Sequence, residues 1–179
     1  MSGETATLNN WYSPEHDCKK LLTYYAIMIS MEELINTLKV LLADNITLKL
    51  KAHGYHWNVE GDDFVQFHEL FENIYTDYDQ ATDTYAEWLR KLDTYAPFKL
   101  SRFIVLNEVG EPDVTSDPMM MSADLLMAND MVLAKLTDAV DLATQNRQHA
   151  IANFFAERMD MHQRWHWMLT ASLKEVGND

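Results

Sequence analysis

The sequence predicts an all-α protein: a four-helix bundle with a long crossover between the second and third helices. Three observations carry this. Apolar side chains recur at helical spacing over long stretches. Glycine and proline are scarce, 5 and 4 in 179 residues, and fall mostly between those stretches. Hydrophobic residues make up 47% of a chain whose length suits one domain with a substantial core.

Residues 1–20 read as a polar N-terminal arm, interrupted by Pro14, ahead of a bundle domain spanning 21–179. The arm lacks the basic segment and apolar run of a secretory leader. The apolar stretch from Leu21 to Met31 ends at Glu32 and Glu33, too short to span a bilayer. The lone Cys18 has no intrachain disulfide partner. The expectation is a cytoplasmic protein with no membrane association.

A first helix runs from Leu21 to Val59, with Leu34, Leu38, Leu41, Asn45, Leu48 and Ala52 along one side. It ends at the turn Glu60-Gly61-Asp62, where glycine supplies a permissive backbone. The second helix extends from Asp63 to Thr94, with Asp63 placed to cap it and Gln66 to close a capping box. The short connection makes these two helices antiparallel neighbours. Residues 95–121 form the crossover, punctuated by Pro97, Gly110, Pro112 and Pro118, with LSRFIVLNE as a short helix or strand-like piece. Ser122 caps a third helix reaching Gln145, with Leu125, Met131, Leu133, Leu136 and Val140 on its apolar side. Asn146-Arg147 separate it from a fourth, His149 to Val176, stopped near Gly177. Long helices joined with one such crossover describe the ferritin-like arrangement.

The second helix carries two polar pairs at i,i+4, His68 with Glu72 and Asp83 with Glu87, each able to hold a metal between two side chains. The pairs are fifteen residues apart, so all four side chains share a stripe roughly 100° wide but lie about 22 Å apart along the axis. One centre cannot use both pairs of one chain. A second copy, antiparallel across a two-fold axis near Asp77 and Tyr78, sets His68/Glu72 of one against Asp83/Glu87 of the other, twice over. An ordinary solvated face would carry the same residues, and spacing alone leaves both readings open. The Glu-x-x-His motif of bundles with a di-iron centre inside one subunit is absent at all seven histidines. The net charge of −14 disfavours contact with nucleic acid or anionic lipid and favours cations.

The first helix ends in KAHGYHWNVEG, with His53 three residues before His56 and His56 twelve before His68. The set His56-Trp57, Gly61, Phe64, His68, Glu72 and Asp83-Thr84-Tyr85-Ala86-Glu87 resembles the Dps family, the dodecameric mini-ferritins. His162, Arg164 and Trp167-Met168-Leu169 extend the resemblance through the last helix, so that it covers residues 21 to 176. The resemblance implies a homo-oligomer, a dodecamer built from two-fold dimers. It implies oxidation of ferrous iron by hydrogen peroxide, or more slowly by dioxygen, and storage of the ferric product, protecting against oxidative damage. It further implies that one subunit contributes His56, His68 and Glu72 and its two-fold partner Asp83 and Glu87. Trp57 would stand beside the iron and intercept oxidising equivalents. Glu72 departs from the family, where aspartate is commoner. Carboxylate and imidazole donors suit iron, and they admit zinc as a redox-inert occupant.

Two other readings compete. The family's DNA-compacting role relies on a lysine-rich tail, whereas the first twenty residues hold only Lys19 and Lys20 against Glu4, Glu15 and Asp17. Counterion release then contributes little. A shell that has lost catalysis is the other. Asp124, Asp130, Asp138, Asp141, Glu157 and Asp160 are candidates for lining a mineral cavity or its pores, and equally for plain surface charge. The pair His162 and His166 reads as packed or surface histidine rather than a zinc site, since HQRWH lacks the glutamate of a zinc protease. His53 reads as a support to the site or a helix contact, Met119 to Met121 as core filling, and Tyr55, Tyr78, Tyr85 and Trp88 as packing aromatics.

Overall fold

The computed structural model describes residues 14–111 and 115–174. Most of the predicted arm, Pro112 and the stop near Val176 and Gly177 lie outside them. The helices are α1 (Pro14–Asn58), α2 (Phe64–Lys91), α3 (Leu100–Leu106), α4 (Pro118–Gln145) and α5 (His149–Ser172). Among the described residues there is no strand. The pairs α1/α2 and α4/α5 pack along their lengths, α1 joins the pairs through α4, and α3 rests on α1. This is the predicted ferritin-like bundle, with α3 inside the crossover as the short helix.

All six positions read as the inner side of α1 are buried. Asn45 is tolerated there because its amide donates to the Tyr78 carbonyl at 2.8 Å and to Thr82 Oγ1 at 2.9 Å, pinning α1 to α2. The helix opens at Pro14, seven residues earlier than expected. Proline suits a first turn, whose N–H groups have no intrahelical acceptor in any case. The reversal after α1 uses Gly61 at φ +117, a conformation a side chain would strain. The Glu60 N–H donates to the Ser116 carbonyl at 3.0 Å, fastening this turn to the end of the crossover.

Two predicted caps are corrected. Asp63 holds the N-cap position of α2 but makes no side-chain cap, so the box with Gln66 does not form. Its backbone, at φ −97 and ψ 18, lacks the extended geometry that aims a cap oxygen at the first N–H groups. Ser122 does not start α4; it is buried inside the helix. Asp117 caps instead, accepting from Met119 N–H at 2.8 Å and Met120 N–H at 3.4 Å, with Pro118 following. An aspartate N-cap before a first-turn proline is the stronger start signal. Of the three adjacent methionines only Met121 fills the core, while Met119 and Met120 are exposed, as is Met131. α4 ends at Gln145 as predicted, and Arg147 takes φ +57 to start the turn into α5.

Two ion pairs inside the bundle join different helices. Asp44, fully buried on α1, accepts from Lys135 of α4 and from the Glu108 N–H, both at 2.6 Å. Arg158 of α5 makes a two-pronged ion pair with Asp77 of α2. Tyr78 and Tyr85 are fully buried, as expected of packing aromatics.

Candidate metal centre

The turn at Gly61 folds the last turn of α1 onto the first turns of α2, and this brings His56 against His68. Nδ1 of His56 lies 2.9 Å from the His68 carbonyl, and Nδ1 of His68 lies 2.7 Å from the His56 carbonyl. A carbonyl only accepts, so each Nδ1 carries the proton. The rings stack with centroids 3.7 Å apart, and with Nδ1–H so engaged Nε2 is the nitrogen left to bind a metal. Fixing the tautomer through a backbone carbonyl is how metal-binding histidines are ordinarily oriented.

Glu72 lies one helical turn beyond His68 and is exposed. Tyr75 approaches it, with the hydroxyl 3.5 Å from Glu72 Oε1. The Tyr75 ring also stacks on His53 at 4.1 Å and meets His56 edge-on at 5.3 Å. His53 is thus held between Tyr75 and Trp57, whose ring is 4.2 Å away. Burial, and then the neighbouring charge of His56, lower the His53 pKa. Trp57 itself is 63% exposed. Tyr75 was not among the residues singled out from sequence, although its place seven residues after His68 and three after Glu72 puts it on the same face.

Asp83 and Glu87 are exposed towards the other end of α2, where Glu87 pairs with Lys91 at 3.3 Å. Among the described residues, no three of His, Cys, Asp or Glu in the single chain come together around a point able to hold a metal. One chain therefore joins the two histidines and leaves the second carboxylate pair apart. Midway along α2, Asp77 and Tyr78 turn into their own bundle. The surface at that height consists of Thr76, Asp79 and Gln80.

Other predicted candidates are placed as follows. Asp124 accepts from Tyr55 at 2.6 Å and pairs at 2.7 Å with Lys51, which is buried, so this carboxylate ties α1 to α4. Asp130 pairs with His166 at 2.7 Å on the surface. Asp138, Asp141, Glu157 and Asp160 are exposed. His162 is buried, its Nδ1 2.8 Å from Asn129 Oδ1, and burial followed by the Arg158 charge pushes its pKa down to about 3. His162 and His166 thus occupy different environments, one packed and one at the surface. Among the described residues no helix is long and apolar enough to cross a membrane.

Comparison with known proteins agrees with this architecture. Residues 35–177 match the ferritin-like domain family. An uncharacterised low temperature-induced protein of Nostoc sp. is 32% identical over 143 residues, covering 78% of this chain and 79% of that one. A DNA protection during starvation protein of Helicobacter pylori is 40% identical over 79 residues, 44% of this chain and 55% of that one. The crystal structure of a Dps protein from Vibrio cholerae, described as ferritin-like and diiron-carboxylate, aligns with a TM-score of 0.78 at 26% identity, over 82% of this chain and 92% of that one. By the family match over most of its length and by its Dps relatives, the chain belongs to the ferritin-like family, in its Dps branch.

Proposed function

We propose that this protein is a ferroxidase mini-ferritin, in which two chains related by a two-fold axis complete each iron site. Membership of the Dps branch supports a role in iron storage and protection. In the proposed site His56, His68 and Glu72 of one chain bind the substrate iron together with Asp83 and Glu87 of its partner. The observation that carries the reading is the reciprocal pairing of His56 and His68, which presents two imidazole lone pairs at a place where the chain alone supplies too few ligands.

Hydrogen peroxide is the proposed oxidant, with dioxygen as the slower alternative. Two ferrous ions each give one electron, and with two protons the peroxide becomes two waters. Pairing the electrons this way avoids releasing hydroxyl radical. Trp57, exposed and in contact with His53, is the proposed donor of the second electron when only one iron is bound. The ferric product is then stored within a homo-oligomeric shell, proposed as a dodecamer. Zinc fits the same donors without changing oxidation state and competes as an inhibitor.

The test is ferrous oxidation followed in wild type and in a His68→Ala/Asp83→Ala variant that assembles normally. A loss of about a hundredfold or more in rate is expected, since losing a group that merely supports a metal ligand already costs about 10–100-fold. Equal rates would end the ferroxidase reading.

A further inference from the structure

The N-terminal part of α1 stands clear of the bundle. The amide of Asn146, in the turn between α4 and α5, donates to the Ser30 hydroxyl at 2.7 Å and to its carbonyl at 3.2 Å, so Ser30 lies level with that end of the bundle. Among the described side chains of α1, the buried core begins at Leu34. Residues 14–29 therefore project about 24 Å beyond it as helix. From Leu21 to Met31 this segment carries no charged residue. Tyr24, Tyr25, Ile27, Met28 and Ile29 are 50–66% exposed. At 100° per residue these five spread over about 200° of the helix surface, more than one face. A helix apolar over so much of its circumference is one that is normally covered.

We infer that this projecting segment is an assembly element, and that a second copy of this chain covers it. The area fits such a contact. Five large side chains exposed to this degree present on the order of 600 Å² per chain, at the top of what a monomer ordinarily leaves in one patch. A pair burying it would reach about 1,200 Å², where specific interfaces begin. A lipid surface fits less well: Glu32 and Glu33 follow directly, and the net charge is −14. The inference rests on the proposed shell only for the presence of neighbouring copies; the iron chemistry does not enter it.

Two full-length variants test it by native mass and sedimentation at micromolar concentration: Tyr24→Glu/Ile27→Glu/Met28→Glu and the uncharged Tyr24→Ser/Ile27→Ser/Met28→Ser. Both are expected to fall to smaller species, with at least a tenfold loss of the largest assembly, because none of the three side chains belongs to the core. An assembly of unchanged mass in either variant overturns the inference, including the cases where lipid or the chain's own N-terminus covers the segment. Hydrogen exchange of residues 20–29 in assembled wild type needs no variant: slow exchange is expected, and exchange as fast as in a free peptide overturns it. A wild-type chain that stays monomeric sinks the proposed shell as well. An assembled wild type with unaffected variants sinks only this contact.

Discussion

Arg158 of α5 holds Asp77 of α2 through its two terminal guanidinium nitrogens, Nη1 and Nη2, at 2.7 and 2.8 Å, while Trp165 donates to the same carboxylate at 2.8 Å. Burial by itself would raise the Asp77 pKa, but the hydrogen bonds and charge of Arg158 outweigh it and leave the carboxyl below its usual range. The pair clamps the outer helices of the bundle to one another. Arg158→Ala strands the carboxylate, and a loss of about 3–5 kcal/mol in unfolding free energy is expected. Removing both partners in Arg158→Met/Asp77→Asn should cost less than the single change. Urea denaturation of the three proteins measures the difference.

Acid stability should depend on His162. Its folded pKa, about 3, lies below the ordinary value of 6.5, so the unfolded chain binds the extra proton first as pH falls. The stability contribution is complete above pH 6.5 and is lost progressively as pH drops towards 3. In His162→Gln, denaturation midpoints between pH 6 and 4 should vary less with pH than in wild type.

Whether the proposed iron site is shared can be read from mixed assemblies. In a heterodimer of His68→Ala with Asp83→Ala, one site carries both lesions and the other carries none. Random pairing makes half of the dimers mixed, so about a quarter of wild-type sites should return. Oxidation rates of co-refolded and separately refolded variants check this. A mixture no more active than its components would place the whole site within one chain.

Tyr75 offers a finer probe. Tyr75→Phe keeps the stack on His53 and removes only the hydroxyl near Glu72, so ferrous oxidation should stay within about threefold of wild type. Tyr75→Ala removes ring contacts with both His53 and His56, each worth about 0.5–1.5 kcal/mol, and should slow oxidation about tenfold. Stopped-flow traces at matched iron loading separate the two.

DNA should not be retained. The net charge of −14 leaves the polyanion little to bind. A gel-shift assay at low salt, without divalent cations, should show free DNA migrating unchanged; a retarded band would restore DNA compaction as a competing role.

Much of this was legible in the sequence because periodic apolar positions report directly on burial. The six positions from Leu34 to Ala52 are buried as the periodicity predicts, and the fifteen-residue step between the polar pairs on α2 needs only helix geometry. Helix ends were less legible. Ser122 and Asp117 are both good caps by type, and what decides between them is the proline after Asp117. Polar residues before Leu21 read as an arm, although α1 already includes them from Pro14. The Arg158–Asp77 pair spans 81 positions and has no local signature. The histidine tautomers depend on two backbone carbonyls, whose positions exist only once the turn at Gly61 has formed.

That turn also decides when the imidazole half of the site comes into being. His56 and His68 are twelve positions apart, so their meeting requires only a helical hairpin to close, a local contact whose loop-closure cost is small. Before pairing, each chain then presents the two imidazoles without the partner carboxylates of the proposed site, too few donors to close a metal centre alone. Under the proposed function, encounter of two such chains would join both halves of the site, so that ferrous iron and peroxide are brought together only after pairing.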